Sequence, residues 1–214
     1  MKHFIIFLIL GLSFVSTYAQ ENKGDDEDAR GFNISISPGT GTASLYVSSE
    51  DKTNEYPIKS LFSAELSKEI AFGNMSTIVL LNYSRGELDN CDLEIQSAKL
   101  IPNMSETNPY YSIQLAFLGG IVLNKNGRIK FPLYVGPTFS YENCGPIHNL
   151  TLNMQAIGRI KCYVTRKLGI FIGARGRCGI GSKSGKRYGT GDKDALGLTV
   201  IQYGLEAGLS FSIN

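Results

Sequence analysis

The sequence predicts an all-β fold: an eight-stranded antiparallel up-and-down barrel whose strands cross a membrane. Three observations predict it. First, the C-terminal segment alternates without exception. Ile201, Tyr203, Leu205, Ala207, Leu209, Phe211 and Ile213 take one face, and Gln202, Gly204, Glu206, Gly208, Ser210, Ser212 and Asn214 the other. Strand side chains point to opposite faces with period two, so one face is apolar and the other polar or glycine. An ordinary strand has about five or six residues, whereas a tilted strand crossing a bilayer needs about 9–11, and this run is long enough to cross. Second, the same alternation recurs upstream, in rows joined by short and long connections in turn. Third, the mean hydropathy is −0.04. Near-neutrality suits a membrane barrel, because lipid-facing and lumen-facing residues cancel in any window.

At the N-terminus, Lys2 and His3 precede an apolar run at residues 4–15, then Ser16-Thr17-Tyr18-Ala19 before Gln20. A positive start, an apolar stretch of signal length and a Thr-x-Ala site describe an export signal. The run is too short for a transmembrane helix, and Glu21-Asn22-Lys23-Gly24-Asp25-Asp26-Glu27-Asp28 follows it. The expected organisation is a signal peptide at residues 1–19, a disordered acidic tail at 20–29 and one barrel domain at 30–214. With no cysteine at the cleavage site, a lipoprotein anchor is not expected. Cleavage removes Lys2 from 21 basic residues, and 21 − 1 = 20 against 19 acids leaves about +1. That balance gives no electrostatic case for nucleic acid.

The strands follow in order. The first is expected at Phe32, Ile34 and Ile36. Phe62, Ala64, Leu66 and then Thr77, Val79, Leu81, Tyr83 flank a turn at residues 67–74. Tyr111, Ile113, Leu115, Phe117, Gly119, Ile121 and Leu123 run up to Asn124-Lys125-Asn126-Gly127, a tight-turn signal. Ile129, Phe131, Leu133, Val135, Pro137, Phe139 and Tyr141 lie opposite Lys130, Tyr134, Gly136, Thr138 and Ser140. Leu152, Met154, Ala156, Gly158, Ile160 and Cys162 lead through a turn at Thr165-Arg166-Lys167 into Leu168, Ile170, Ile172, Ala174, Gly176 and Cys178. With the terminal segment this makes eight. Short connections fall near 67–75, 124–127 and 164–167, long ones near 38–57, 85–109, 142–150 and 179–197. An even count puts both termini beside the short turns, on the periplasmic side in such barrels. Pro38-Gly39-Thr40-Gly41 fits a loop, or a bulge within a longer strand.

The run Gly158-Arg159-Ile160-Lys161-Cys162-Tyr163-Val164-Thr165-Arg166-Lys167-Leu168-Gly169-Ile170-Phe171-Ile172-Gly173-Ala174-Arg175 resembles the strand, turn, Lys-Leu-Gly, strand hairpin of small bacterial outer-membrane β-barrels, porin-like or OmpA-like barrel domains. Val135-Gly136-Pro137-Thr138-Phe139 and the terminal strand are similar to it too, so the resemblance covers most of residues 30–214. Tyr18-Ala19-Gln20 resembles the signal ends of Bacteroidetes-type bacteria. The resemblance implies a bacterial outer-membrane location, contact with outer-membrane lipid and lipopolysaccharide, and insertion by the barrel-assembly machinery. Many members end on the Phe that this machinery recognises, whereas here Phe211 precedes Asn214 by three residues. The family is functionally mixed, so it implies location and fold more than activity, and no cofactor.

With the apolar rows outward, Glu65, Lys130, Arg159, Lys161, Arg175, Arg177, Gln202 and Glu206 face the lumen. An eight-stranded barrel is just wide enough for side chains to fill. A lumen charge network of Arg159, Arg175, Glu206, Arg177, Lys130 and Glu65 is therefore expected. Counted from their turns, Arg175 and Glu206 are expected to pair directly, with Arg159 on the far side of Arg175. With no tryptophan in the chain, Tyr83, Tyr110, Tyr111, Tyr141, Tyr163 and Phe171 are the candidates for interfacial aromatic girdles.

Cys91, Cys144, Cys162 and Cys178 allow three disulfide pairings, and sequence does not choose among them. Cys91–Cys144 is favoured, since both fall in extracellular loops. Cys162 and Cys178 sit at opposite ends of a hairpin, beyond the roughly 7 Å between bridged Cα atoms. There is no C-x-x-C, and no metal site is expected. His148, the one histidine after the signal, has no adjacent acid and no serine at a lipase spacing, so it is expected to be a solvated loop residue. The stretch Gly179-Ile180-Gly181-Ser182-Lys183-Ser184-Gly185-Lys186 fails the phosphate-loop pattern. It is expected to be a flexible surface loop, with Lys183, Lys186 and Arg187 available to lipopolysaccharide.

The expected function is a non-enzymatic integral outer-membrane barrel of structural or surface-interaction type, its lumen plugged by charge and its extracellular ligand unidentified. The rivals are a small-solute porin, a soluble exported barrel holding an apolar ligand with its rows turned inward, and an outer-membrane enzyme using His148.

Overall fold

The alternating rows become the ladders of one sheet that closes on itself. The computed structural model describes residues 30–47, 52–72, 75–89, 107–124, 126–144, 147–179, 183–184 and 196–213. The long strands are β1 (Arg30–Val47), β2 (Lys52–Phe72), β3 (Met75–Asp89), β4 (Thr107–Leu123), β5 (Ile129–Cys144), β6 (Ile147–Tyr163), β7 (Leu168–Gly179) and β9 (Leu196–Ile213). A two-residue strand β8 (Lys183–Ser184) pairs with the start of β9. Each long strand pairs antiparallel with the next, and β1 pairs with β9 from Arg30↔Ile213 to Val47↔Leu196. The fold is a closed, eight-stranded, antiparallel up-and-down barrel. Closure gives every long strand a hydrogen-bonded neighbour on both sides. The proposed signal peptide and acidic tail at 1–29 lie outside the described residues.

The start of β1, the end of β9 and the β2–β3, β4–β5 and β6–β7 hairpins share one end of the barrel. Turn chemistry fixes two of these hairpins. Asn124 takes φ 55°, a left-handed value that asparagine tolerates. Its side chain donates to Ile129 O at 2.7 Å, and its own carbonyl accepts from Gly127 N at 3.1 Å. Thr165 Oγ1 accepts from Leu168 N at 3.0 Å and holds the β6–β7 turn.

Three connections differ from the sequence expectation. Residues 38–57 are not a long loop, because β1 continues to Val47 and β2 begins at Lys52. Pro38 and the two glycines interrupt the alternation, but a bulge between Gly39 and Gly41 carries the ladder onward. A second bulge, between Lys59 and Phe62, has Ser60 at φ 51° and reverses the inward phase of β2. Leu61 and Ser63 are buried below it, Ile58 and Tyr56 above it. Gly86 faces this bulge, where a Cβ would lie 2.9 Å from Ile58 Cγ2. Residues 142–150 are likewise the tip of a hairpin, since β5 ends at Cys144 and β6 starts at Ile147. The 67–74 turn is shorter than expected, because β2 runs to Phe72.

The wall is inside out relative to a water-soluble protein. Leu205 is 69% exposed and Ile172 63%, whereas Arg159 is 2% and Glu206 3% exposed. Along β9 the exposed apolar side chains run from Ile201 to Phe211, which matches the length of a tilted membrane strand. The lumen has an apolar part too. Ile78, Leu80, Ala116, Leu118, Tyr134 and Ile157 cluster on the β3–β6 wall.

Candidate functional site

Alternation within each strand aims every second side chain into the lumen, where the inward charges satisfy one another and avoid the cost of unpaired burial. They do so in three layers. In the middle layer Arg159 Nε donates to Glu206 Oε1 at 2.6 Å, and Arg159 Nη2 donates to Glu65 Oε1 at 2.6 Å and to Glu206 Oε2 at 3.2 Å. Arg175 Nη1 donates to the other oxygen of Glu65 at 3.1 Å and to Asn82 Oδ1 at 3.3 Å. The Arg159 guanidinium also stacks over Phe171, 4.7 Å from the ring centroid.

Toward the short turns, Lys161 bonds Glu69, and its Nζ donates to Asn33 Oδ1 at 2.9 Å. Toward the loops, Arg177 binds Glu142 and donates to Ser140 Oγ at 2.9 Å, Tyr110 OH at 2.8 Å and Gln202 Oε1 at 2.8 Å. Tyr110 OH donates to Glu142 Oε2 at 2.6 Å and accepts from Gln202 Nε2 at 2.6 Å. Each layer holds equal numbers of cations and carboxylates. A void of about 20 Å³ lies between Arg175 and Arg177, lined also by Ser37, Ser63, Gln155 and Gln202. It has room for about one water.

Of the residues singled out from sequence, the structure brings Arg159, Arg175, Glu206 and Glu65 together and sets Arg177 in the layer above. Lys130 stands apart. It is half-buried at the short-turn end with Nζ 5.0 Å from the Tyr163 ring centroid. Its Cα partner is another cation, Lys161, which holds the nearby Glu69. The expected Arg175–Glu206 pair is also displaced. Arg175 is opposite Gly204, Glu206 is opposite Gly173, and the two charges approach only to 4.0 Å.

Glu142, Glu69 and Tyr110, together with Asn33 and Asn82, belong to these layers but not to the lumen set that the sequence predicts. Glu142 and Glu69 fell in segments assigned to connections, although Glu142 shares the inward parity of Thr138 and Ser140. Tyr110 was placed in a girdle, yet it shares parity with Ser112 and Gln114 and is fully buried. Tyr163 and Phe171 are inward for the same reason, whereas Tyr83 is exposed on the outer wall.

Cys144 is buried and unbridged, and Cys91 lies outside the described residues. Cys162 and Cys178 are exposed on the outer wall, opposite Ile170 and Met154 respectively, and so at different heights of one ladder. The side chains of His148, Lys183, Lys186 and Arg187 lie outside the described residues.

No protein-family model matches the chain, and no curated protein matches it. Among solved structures it is similar to Neisserial surface protein A (NspA), with 12% identity and a TM-score of 0.44, over 85% of this chain and 97% of that one. It is similar to the outer membrane protease OmpT of Escherichia coli, with 9% identity and a TM-score of 0.48, over 90% and 99% of the two chains. It is also similar to the outer membrane protein OprG of Pseudomonas aeruginosa, with 7% identity and a TM-score of 0.49, over 87% and 98%.

Proposed function

We propose that the chain is an integral bacterial outer-membrane barrel protein, its lumen plugged by balanced ion pairs, acting without catalysis through its outer wall and extracellular loops. The observation that carries this reading is the inverted wall. An exposed apolar belt of this extent would be an aggregation liability in water and is the ordinary outer surface of a barrel in lipid. The buried carboxylates and cations agree with it, since charge in a confined lumen is tolerable only when paired.

A soluble carrier of an apolar ligand would need the opposite arrangement, with apolar rows turned inward. A small-solute porin would need a continuous wet path where the three layers now stand. The partners implied are outer-membrane lipid and lipopolysaccharide, with the barrel-assembly machinery during insertion and no nucleic acid. Cell fractionation tests the reading. The protein should sediment with outer membranes and migrate faster unheated than boiled on a denaturing gel. Recovery in the soluble periplasmic fraction would overturn it.

A further inference from the structure

On its β4–β7 side the short-turn end of the barrel presents exposed cations, and an apolar groove lies on the outer wall beyond them. Arg128, beside the β4–β5 turn, and Arg166 and Lys167, in the β6–β7 turn, are all exposed. The two turns adjoin, with Tyr163 N donating to Arg128 O at 2.9 Å. Residues 121–131, 162–170 and 207–214, which build this side of the rim, contain no acidic residue. Glu69, at the same end, is turned onto Lys161.

Beyond the turns the outer wall of β5, β6, β7, β9 and β1 carries an apolar depression. Gly158, Ala174 and Ala207 contribute the low floor, and Phe131, Leu133 and Ile172 rise beside it around a groove of about 710 Å³. The ladder sets Gly158 against Ala174 and Ile172 against Ala207, so the small side chains lie on consecutive strands. Phe131 is three positions from Arg128 and Ile172 is five from Lys167, which places the groove mouth roughly 10 Å from the first cation and about 16 Å from the second at about 3.3 Å per residue. A basic rim beside a bilayer attracts anionic lipid, and guanidinium groups match phosphate oxygens in pairs.

We propose that this face binds one anionic glycerophospholipid, its phosphate on Arg128, Arg166 and Lys167 and an acyl chain along the groove. The site rests on the membrane reading above and belongs to the leaflet on the short-turn side. Native mass spectrometry of the full-length folded protein, in micelles doped with phosphatidylglycerol or phosphatidylcholine, tests it. Wild type should retain phosphatidylglycerol over phosphatidylcholine by about tenfold or more. Combined Arg128→Gln, Arg166→Gln and Lys167→Gln should abolish that preference. Ala174→Leu with Ala207→Leu, which fills the groove and keeps the charge, should also cut retention. Equal retention of the two lipids by wild type would overturn the site, as would undiminished retention by the groove variant. Stronger retention of purified lipid A than of phosphatidylglycerol would overturn it too. Heat-modifiable migration of each protein reports barrel folding separately, and its loss in wild type would count against the membrane reading instead.

Discussion

Arg159 and Glu206 meet across a strand that puts no side chain between them. Gly173 on β7 is the Cα partner of Arg159 on one side and of Glu206 on the other. Above it, Arg159 Nε donates to Glu206 Oε1 at 2.6 Å. A Cβ at Gly173 would lie 3.0 Å from that oxygen, 3.1 Å from Arg159 Cγ and 2.5 Å from Gly158 O. The missing side chain lets strands on either side of a third share an ion pair.

Gly173→Ala should therefore overpack the middle layer and lower stability by about 1–3 kcal/mol. Gly119→Ala is the control, because a Cβ there meets nothing within 4 Å. The urea midpoint for loss of the fast-migrating unheated band would rank the two. Equal midpoints would show that the close approach at Gly173 carries no constraint.

The middle layer should also behave as a coupled unit. Glu206→Gln strips Arg159 of one carboxylate while Glu65 keeps the other bond. The loss should thus fall near the lower end of the roughly 3–5 kcal/mol seen when one partner of a buried pair is removed. Adding Arg159→Met should recover part of it. A double-mutant cycle should find stronger coupling of Glu206 to Arg159 than to Arg175, which approaches it only to 4.0 Å. The reverse ranking would contradict the register of β6, β7 and β9.

Parity is the part of this fold that the sequence states most openly. Each apolar row from Phe32 to Phe211 faces out, because period-two alternation is a local property of extended backbone. Depth is not local. Counting residues from the turns put Arg175 level with Glu206, but barrel strands are staggered by the shear that closes the sheet, and Arg175 lies opposite Gly204. Pro38, Gly39 and Gly41 break the pattern and leave a loop and a bulge within a longer strand as alternatives, since the two begin alike in sequence, and the structure has the bulge. Counting residues 38–57 as a loop instead shortens the β1–β2 hairpin, which runs from Arg30 to Phe72. The similar assignment of residues 142–150 to a loop hid Glu142, the carboxylate that holds Arg177.

Exposure alone does not separate a membrane wall from a merely apolar surface, but substitution does. Leu205 is 69% exposed within the belt, and Val164 is 64% exposed at the short turn beside Arg166. In lipid, Leu205→Arg should cost about 2–4 kcal/mol and Val164→Arg close to nothing, because the penalty depends on depth. Refolding equilibria in phospholipid vesicles would measure both. Matching costs at the two positions would remove the membrane reading.

The three layers also predict the electrical behaviour of the barrel. Arg177 with Glu142, Arg159 and Arg175 with Glu65 and Glu206, and Lys161 with Glu69 form ion pairs across the lumen at successive depths. Wild type in planar bilayers should show no steady conductance. Replacing Arg177 and Glu142 together with serine should leave it silent, since the Arg159 and Lys161 layers remain closed beneath. A porin would behave differently, with widening at its one constriction raising an existing current. Large, stable openings in wild type would sink the plugged lumen, and a current created by removing the Arg177 layer alone would show that the lower layers do not seal.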